Sequence, residues 1–183
     1  MNIKTSNDEL KANRPTLQEI IKMRRMPISI LVENIRSVHN VGAIFRTADG
    51  FGAEKLWLTG YTAHPPRDDL SKVALGAEKS VPWEYCDNPL ESAKKIRSLG
   101  IKLIGIEQSK RSINFNEYQW KFPCCFILGN EISGVSEELL NIAEDHVEIP
   151  MFGIKQSLNV SVAAGVIGYE VARIYNKYGK LNK

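Results

Sequence analysis

Metal ligands, disulfide partners and membrane-spanning runs are all scarce in this chain. Its 183 residues include three cysteines and three histidines. Cys86, Cys124 and Cys125 are odd in number, two are adjacent, and none sits in a C-x-x-C or His-paired spacing suited to zinc. They read as small apolar residues of strands, no metal is expected, and a reducing cytoplasm is the expected compartment. No apolar run approaches the roughly 18 residues needed to cross a bilayer, and the opening MNIKTSNDEL lacks the hydrophobic stretch of a secretory signal. A membrane span is excluded and export is not expected. Neither G-x-G-x-x-G nor G-x-x-x-x-G-K-[ST] occurs, which removes the signature of an ordinary dinucleotide-dependent oxidoreductase. Internal repeats and low-complexity tracts are also missing.

What remains suits one globular domain with short appendages: 43% of residues are apolar and 25% charged. A chain this long buries roughly 70% of its unfolded surface without a staple. The net charge of +3 is too small to mark a nucleic-acid binder, but its distribution is uneven. Residues 1–26 carry +3, residues 173–183 carry +4, and the stretch between them carries −4. Either the ends are solvated helices, or they are two positive arms that grip a polyanion such as RNA.

Apolar runs alternate with helical patterns. Strands are expected at residues 28–32, 55–59, 81–85, 101–106, 122–128 and 146–149. Helices are expected at 17–25, 41–51, 68–75, 89–99, 136–143 and 159–178. The strands are continuously apolar, which argues for a parallel sheet covered on both faces, an α/β fold. In such sheets ligands bind beyond the carboxyl ends of the strands, so the loops there are the places to look for chemistry.

Three loop-and-helix segments stand out. In residues 40–48, NVGAIFRTA, Val41, Ile44, Phe45 and Ala48 recur at helical spacing as a buried stripe, with Arg46 on the other side. Asn40 suits an N-cap, and Arg46 could simply pair with Asp49. Gly42 and Gly50 in one short helix cost about 1 kcal/mol each relative to alanine, and a phosphate approaching the backbone near Arg46 would explain them. In residues 129–134, GNEISG, glycines bracket a polar turn after a strand, which suits main-chain contact with a ligand. In residues 149–161, IPMFGIKQSLNVS, a strand end and a glycine loop lead into the last helix, where Ser157 and Asn159 bracket Leu158 and one of them can cap. That helix carries Gly165 and Gly168, which permit close approach of another backbone within the chain or from a second copy.

Together these segments resemble the three ordered motifs of the SpoU/TrmH group of SPOUT-class RNA 2′-O-ribose methyltransferases. In shorthand they are N-x-G-x-x-x-R-T-A, G-x-E-x-x-G and I-P-M-x-G-x-x-x-S-L-N-V-S. The resemblance spans about residues 28–175. It implies a C-terminal trefoil knot in the α/β fold and S-adenosylmethionine bound bent in a cleft against Gly129, Ile149 and Leu158. It implies catalytic-site positions at Asn40, Arg46, Glu131, Ser157 and Asn159, with RNA contacts from His39 and Arg173. It further implies a homodimer packed through the knot and the last helix. Domain bounds follow: a basic N-terminal helical extension at 1–26, a methyltransferase domain at 27–175 and a basic tail at 176–183.

The expected reaction is methyl transfer to a ribose 2′-OH of RNA, with tRNA slightly ahead of rRNA. Family mechanisms have been framed with the motif-one arginine as general base. A guanidinium with pKa above about 12 is a poor proton acceptor, and a phosphate clamp that also stabilises the developing alkoxide suits Arg46 better. Glu131 would then orient Arg46 or Asn40, and Ser157 and Asn159 would order the loops around the ribose. The competing expectation is a catalytically silent RNA-binding or assembly protein of the same fold.

Overall fold

The computed structural model describes residues 3–179. Seven strands form one sheet: β1 (Met26–Glu33), β2 (Ala53–Thr59), β3 (Trp83–Cys86), β4 (Lys102–Ile106), β5 (Ile113–Asn114), β6 (Cys124–Leu128) and β7 (Asp145–Glu148). Their order is β3-β2-β1-β6-β4-β7-β5, and every pairing is parallel. Leu31 of β1 pairs with Trp57 of β2 on one side and with Ile127 of β6 on the other. Strand β5 falls inside a stretch that sequence patterning reads as loop, because two residues carry no periodicity.

The helices cover both faces. Successive strand residues point to opposite sides. Ile28, Ile30, Val32, Cys124 and Phe126 therefore pack with α3 (Val38–Phe51) and α8 (Val160–Ile174), whereas Leu31, Cys125 and Ile127 meet α6 (Pro89–Ser98) and α7 (Glu137–Ile142). The adjacent cysteines face different cores, and all three are free thiols. Two short helices, α4 (Asp68–Ala74) and α5 (Ala77–Ser80), lie against α3. Ahead of the sheet, α1 (Asn7–Ala12) and α2 (Leu17–Lys22) bury no residue and hold together through capping boxes at Ser6 and Thr16. The expected basic tail is described only through residue 179, where Tyr175–Gly179 forms a π-helical turn after α8. Residues 180–183 lie outside the described residues.

Three local readings need correction. Helix α3 begins one turn earlier than the apolar stripe indicates. Its N-cap is Ser37, whose hydroxyl accepts from the Asn40 amide N–H, so the Asn40 side chain does not cap. The helical glycines do not mark a phosphate approach either. A Cβ on Gly42 would lie 2.7 Å from the Val73 Cβ and 3.2 Å from the Ala74 nitrogen, and one on Gly50 would lie 2.7 Å from the Tyr169 hydroxyl. Packing within the chain explains both. Asp49 accepts from the Ser80 hydroxyl at 2.5 Å rather than from Arg46. Among the described residues no helix is long and apolar enough to cross a membrane, and no group of three or more His, Cys, Asp or Glu could hold a metal ion.

Candidate active site

The carboxyl ends of β4, β6 and β7 open into a cleft of about 650 Å³. Its apolar wall includes Leu128, Ile149, Leu158 and Val160, and its polar groups include Glu107, Asn130, Glu148 and Ser157. The volume is within the range of sites for a nucleoside-sized ligand. The strand-to-loop rule for parallel sheets places it correctly.

Glu131 stands at the rim, on the loop after β6. Its carboxylate accepts from the backbone N–H groups of Arg36 and Ser37, each at 3.0 Å, and from the Asn40 side-chain amide at 2.9 Å. Partial burial alone would raise its pKa, but these donors outweigh burial and hold it below the ordinary glutamate value. The Asn40 carbonyl oxygen accepts from the Asn159 amide at 3.1 Å, and the Asn159 oxygen accepts from both the backbone N–H and the hydroxyl of Ser161. Capping of α8 and contact with Asn40 thus use different atoms of one side chain. The three motifs meet in a single hydrogen-bonded chain, Glu131 to Asn40 to Asn159.

Asn130 sets the shape of the Glu131 loop. Its backbone exchanges two hydrogen bonds with Gly134, closing the loop at 3.0 and 2.9 Å. Its side-chain oxygen accepts from the N–H groups of Ile132 and Ser133, while its amide donates to the Asn34 carbonyl at 2.7 Å and the Tyr61 hydroxyl at 2.8 Å. All four bonds are made by one buried side chain. Gly134 adopts a positive φ of 70°, and a Cβ there would meet the Glu107 carboxylate. Glu107 accepts from the Val135 N–H at 3.0 Å, and its neighbour Gln108 donates to the Gln156 carbonyl, joining the loop after β4 to the third motif.

Of the residues singled out from sequence, Asn40, Glu131 and Asn159 are bonded to one another, and Gly129, Ile149, Ser157 and Leu158 line the cleft. Arg46 lies exposed on α3 and has no polar side-chain partner among the described residues. His39 is seven residues earlier, on the same helical face about 10 Å away along the axis. Arg173, exposed on α8, binds Glu170 through two hydrogen bonds of 2.8 and 2.7 Å. Sequence reasoning missed Asn130, Glu107 and Gln108. Asn130 lies inside the second motif, and Glu107 directly follows a strand, so both stood where the rule for parallel sheets directs attention.

Residues 27–169 match the SpoU rRNA Methylase family. The chain is similar to a tRNA (guanosine(18)-2'-O)-methyltransferase of Aquifex aeolicus, at 34% identity over 168 residues covering 91% of this chain and 79% of that protein. The crystal structure of the A. aeolicus TrmH/SpoU tRNA modifying enzyme superposes with a TM-score of 0.79 at 33% identity, covering 94% of this chain and 85% of the other. The SpoU methyltransferase AviRb of Streptomyces viridochromogenes, solved in complex with AdoMet, gives a TM-score of 0.77 at 26% identity, covering 87% of this chain and 64% of AviRb.

Proposed function

The chain belongs to the SpoU rRNA methylase family, and on that basis we propose that it transfers a methyl group from S-adenosylmethionine to a ribose 2′-hydroxyl of RNA, with tRNA ahead of rRNA as substrate. The observation that carries this reading is the Glu131–Asn40–Asn159 chain, which joins all three motif segments at the rim of one cleft.

The cleft suits such a donor. Its apolar wall offers Ile149 and Leu158 to an adenine, and the Glu107 and Glu148 carboxylates favour a positively charged ligand. Gly129 lines the cleft with its main chain, and the place a Cβ would take there is filled by the Gly134–Val135 backbone of the same loop rather than left open to a ligand. S-adenosylmethionine supplies a methyl group already activated on a sulfonium, so the protein has to align a hydroxyl and manage one proton. Arg46, exposed and without a side-chain partner among the described residues, is assigned to the phosphate of the target nucleotide and to the charge that develops on the 2′-oxygen. Glu131 and Asn159 position Asn40, and through it the start of α3 that carries Arg46. Ser157, in the cleft, is assigned to the ribose edge. His39 extends the Arg46 face toward RNA, and Arg173 joins it by exchanging Glu170 for phosphate.

Three further assignments belong to this reading. The C-terminal half forms a trefoil knot, supported by β7 lying between β4 and β5 and by the Gln108–Gln156 bond between the two loops concerned. The protein acts as a homodimer, supported by the outward apolar face of α8 at Val162 and Tyr169 and by the exposed Phe152 and Ile154. Gly165 faces open space on that side, whereas a Cβ on Gly168 would strike Phe51 of the same chain at 2.4 Å. Residues 1–26, whose two helices bury nothing, serve as a basic arm ahead of the methyltransferase domain.

The test is methyl transfer from labelled donor into RNA, followed by mass-spectrometric mapping of 2′-O-methyl ribose in cells with and without the protein. Label in RNA and a site that loses methylation on deletion are expected. No incorporation into any RNA would leave the silent RNA-binding reading in its place.

A further inference from the structure

A second hollow, of about 260 Å³, opens at the carboxyl ends of β2 and β3 and is lined by Tyr61, His64, Arg67 and Tyr85 among others. Two aromatic side chains there are left in water: Tyr61 is 62% exposed and Tyr85 37%. The His64 ring lies 4.2 Å from the Tyr85 ring and stacks on Trp83 at 6.1 Å with an interplanar angle of 25°. His64 Nδ1 is 3.0 Å from the Pro65 carbonyl oxygen. A carbonyl only accepts, so Nδ1 carries the proton, and in the neutral ring Nε2 is an acceptor with no partner among the described residues. The platform is held from below, since the Tyr85 hydroxyl donates to the Gly60 carbonyl at 2.8 Å.

The hollow is not isolated from the donor cleft. The Tyr61 hydroxyl accepts from the Asn130 amide, and Asn130 lines the large cleft, so this pair is a shared wall between the two. Arg67 stands at the edge as a planar guanidinium whose charge is offset by Asp69. Its pair with Asp69 uses Nε and Nη2.

We propose that this hollow is a stacking subsite for an unpaired nucleobase of the RNA substrate, adjacent in the strand to the nucleotide whose ribose faces the donor cleft. The inference rests on the RNA methyltransferase reading. A 2′-hydroxyl presented to a recessed donor must come from a splayed segment, so a flanking base leaves its stack and needs a new surface. Every base has a π-face, and an aromatic platform beside an arginine accepts one without strict sequence preference. The His64 Nε2 lone pair lies in the ring plane, beside rather than over a stacked base, where it can accept from a ribose hydroxyl of the same strand.

The experiment uses the full chain with two probes, an unmodified tRNA transcript and a mixed-sequence single-stranded RNA of about 12 nucleotides. His64→Leu and Tyr85→Leu remove ring faces at similar bulk, and Tyr85→Phe restores the face without the hydroxyl. Anisotropy with the oligonucleotide and KM for the transcript are both expected to worsen roughly 5- to 100-fold in the leucine variants and to recover in Tyr85→Phe. Turnover at saturating RNA and donor affinity by calorimetry should hold. If Tyr85→Leu is unstable, His64→Leu decides alone. Unchanged oligonucleotide affinity and KM in a methylating enzyme overturn the subsite and leave the proposed activity standing. A wild type that never methylates RNA, yet loses oligonucleotide binding on both leucine changes, keeps the subsite and removes the activity. Unchanged RNA binding with a shifted oligomeric state makes the hollow a protein contact and overturns the proposal.

Discussion

The Asn40 amide donates to the Glu131 carboxylate at 2.9 Å across 91 positions of sequence, joining the first turn of α3 to the loop after β6. Three donors converge on that carboxylate. Glu131→Gln replaces it with a group that has one acceptor oxygen and a competing NH₂. Turnover is expected to fall roughly tenfold or more, as for the loss of hydrogen bonds to a charged group. Initial rates at saturating RNA and donor measure this, and an unchanged rate would remove Glu131 from the positioning chain.

The same carboxylate sets a pH dependence. Its pKa in the folded protein lies below the ordinary value of 4.5, because the Arg36, Ser37 and Asn40 donors outweigh the effect of burial. The stabilisation is therefore complete above pH 4.5 and disappears as the pH falls through the folded-state value. Melting curves of the wild type and Glu131→Gln should differ at neutral pH and converge in acid.

Asn130→Ala removes four hydrogen bonds at once and leaves the Asn34 carbonyl and two loop N–H groups without partners. A loss of about 2–4 kcal/mol is expected, read from urea unfolding. Asn130→Asp retains the acceptor for Ile132 and Ser133 but sets a carboxylate oxygen against the Asn34 carbonyl, so it should not rescue the loss.

Both roles considered for Arg46, phosphate clamp and general base, require its side chain. Arg46→Ala is expected to lower turnover roughly 100-fold or more, with Arg46→Lys between it and the wild type, because a point charge recovers part of a clamp. Near-normal turnover in both variants at saturating RNA would exclude a clamp and a general base alike.

Val162→Glu places a charge on the outward face of α8 while leaving the buried face of Ala164, Ile167 and Val171 intact. Sedimentation should show monomers that keep the far-ultraviolet spectrum and have lost methyl transfer. Active monomers would contradict the proposed homodimer as the working form.

Thiol chemistry reads the sheet. Burial pushes the Cys125 thiol up to about 12 and raises that of Cys124 as well, whereas Cys86 is half-buried at the end of β3. A disulfide reagent at pH 8 should titrate Cys86 quickly and the other two only after denaturation.

Much of this protein is written locally. The apolar runs that become β1 and β6 and the helical stripe of Val41, Ile44, Phe45 and Ala48 follow from side-chain periodicity alone, and so does the parallel α/β class. The three motifs are also contiguous stretches, which is why the family resemblance and the residues lining the cleft could be read along the chain. The partner of each polar side chain could not. Asn40 suits a cap by its type, but Ser37 takes that role, and the freed amide meets Glu131 only because β6 inserts beside β1. Gly42 and Gly168 suggest ligand or partner approach until Val73 and Phe51 are seen against them. Strand order and long-range contact arise from closing large loops onto one shared core, and the free energy of that closure is spread over the whole molecule. No short window of residues encodes it.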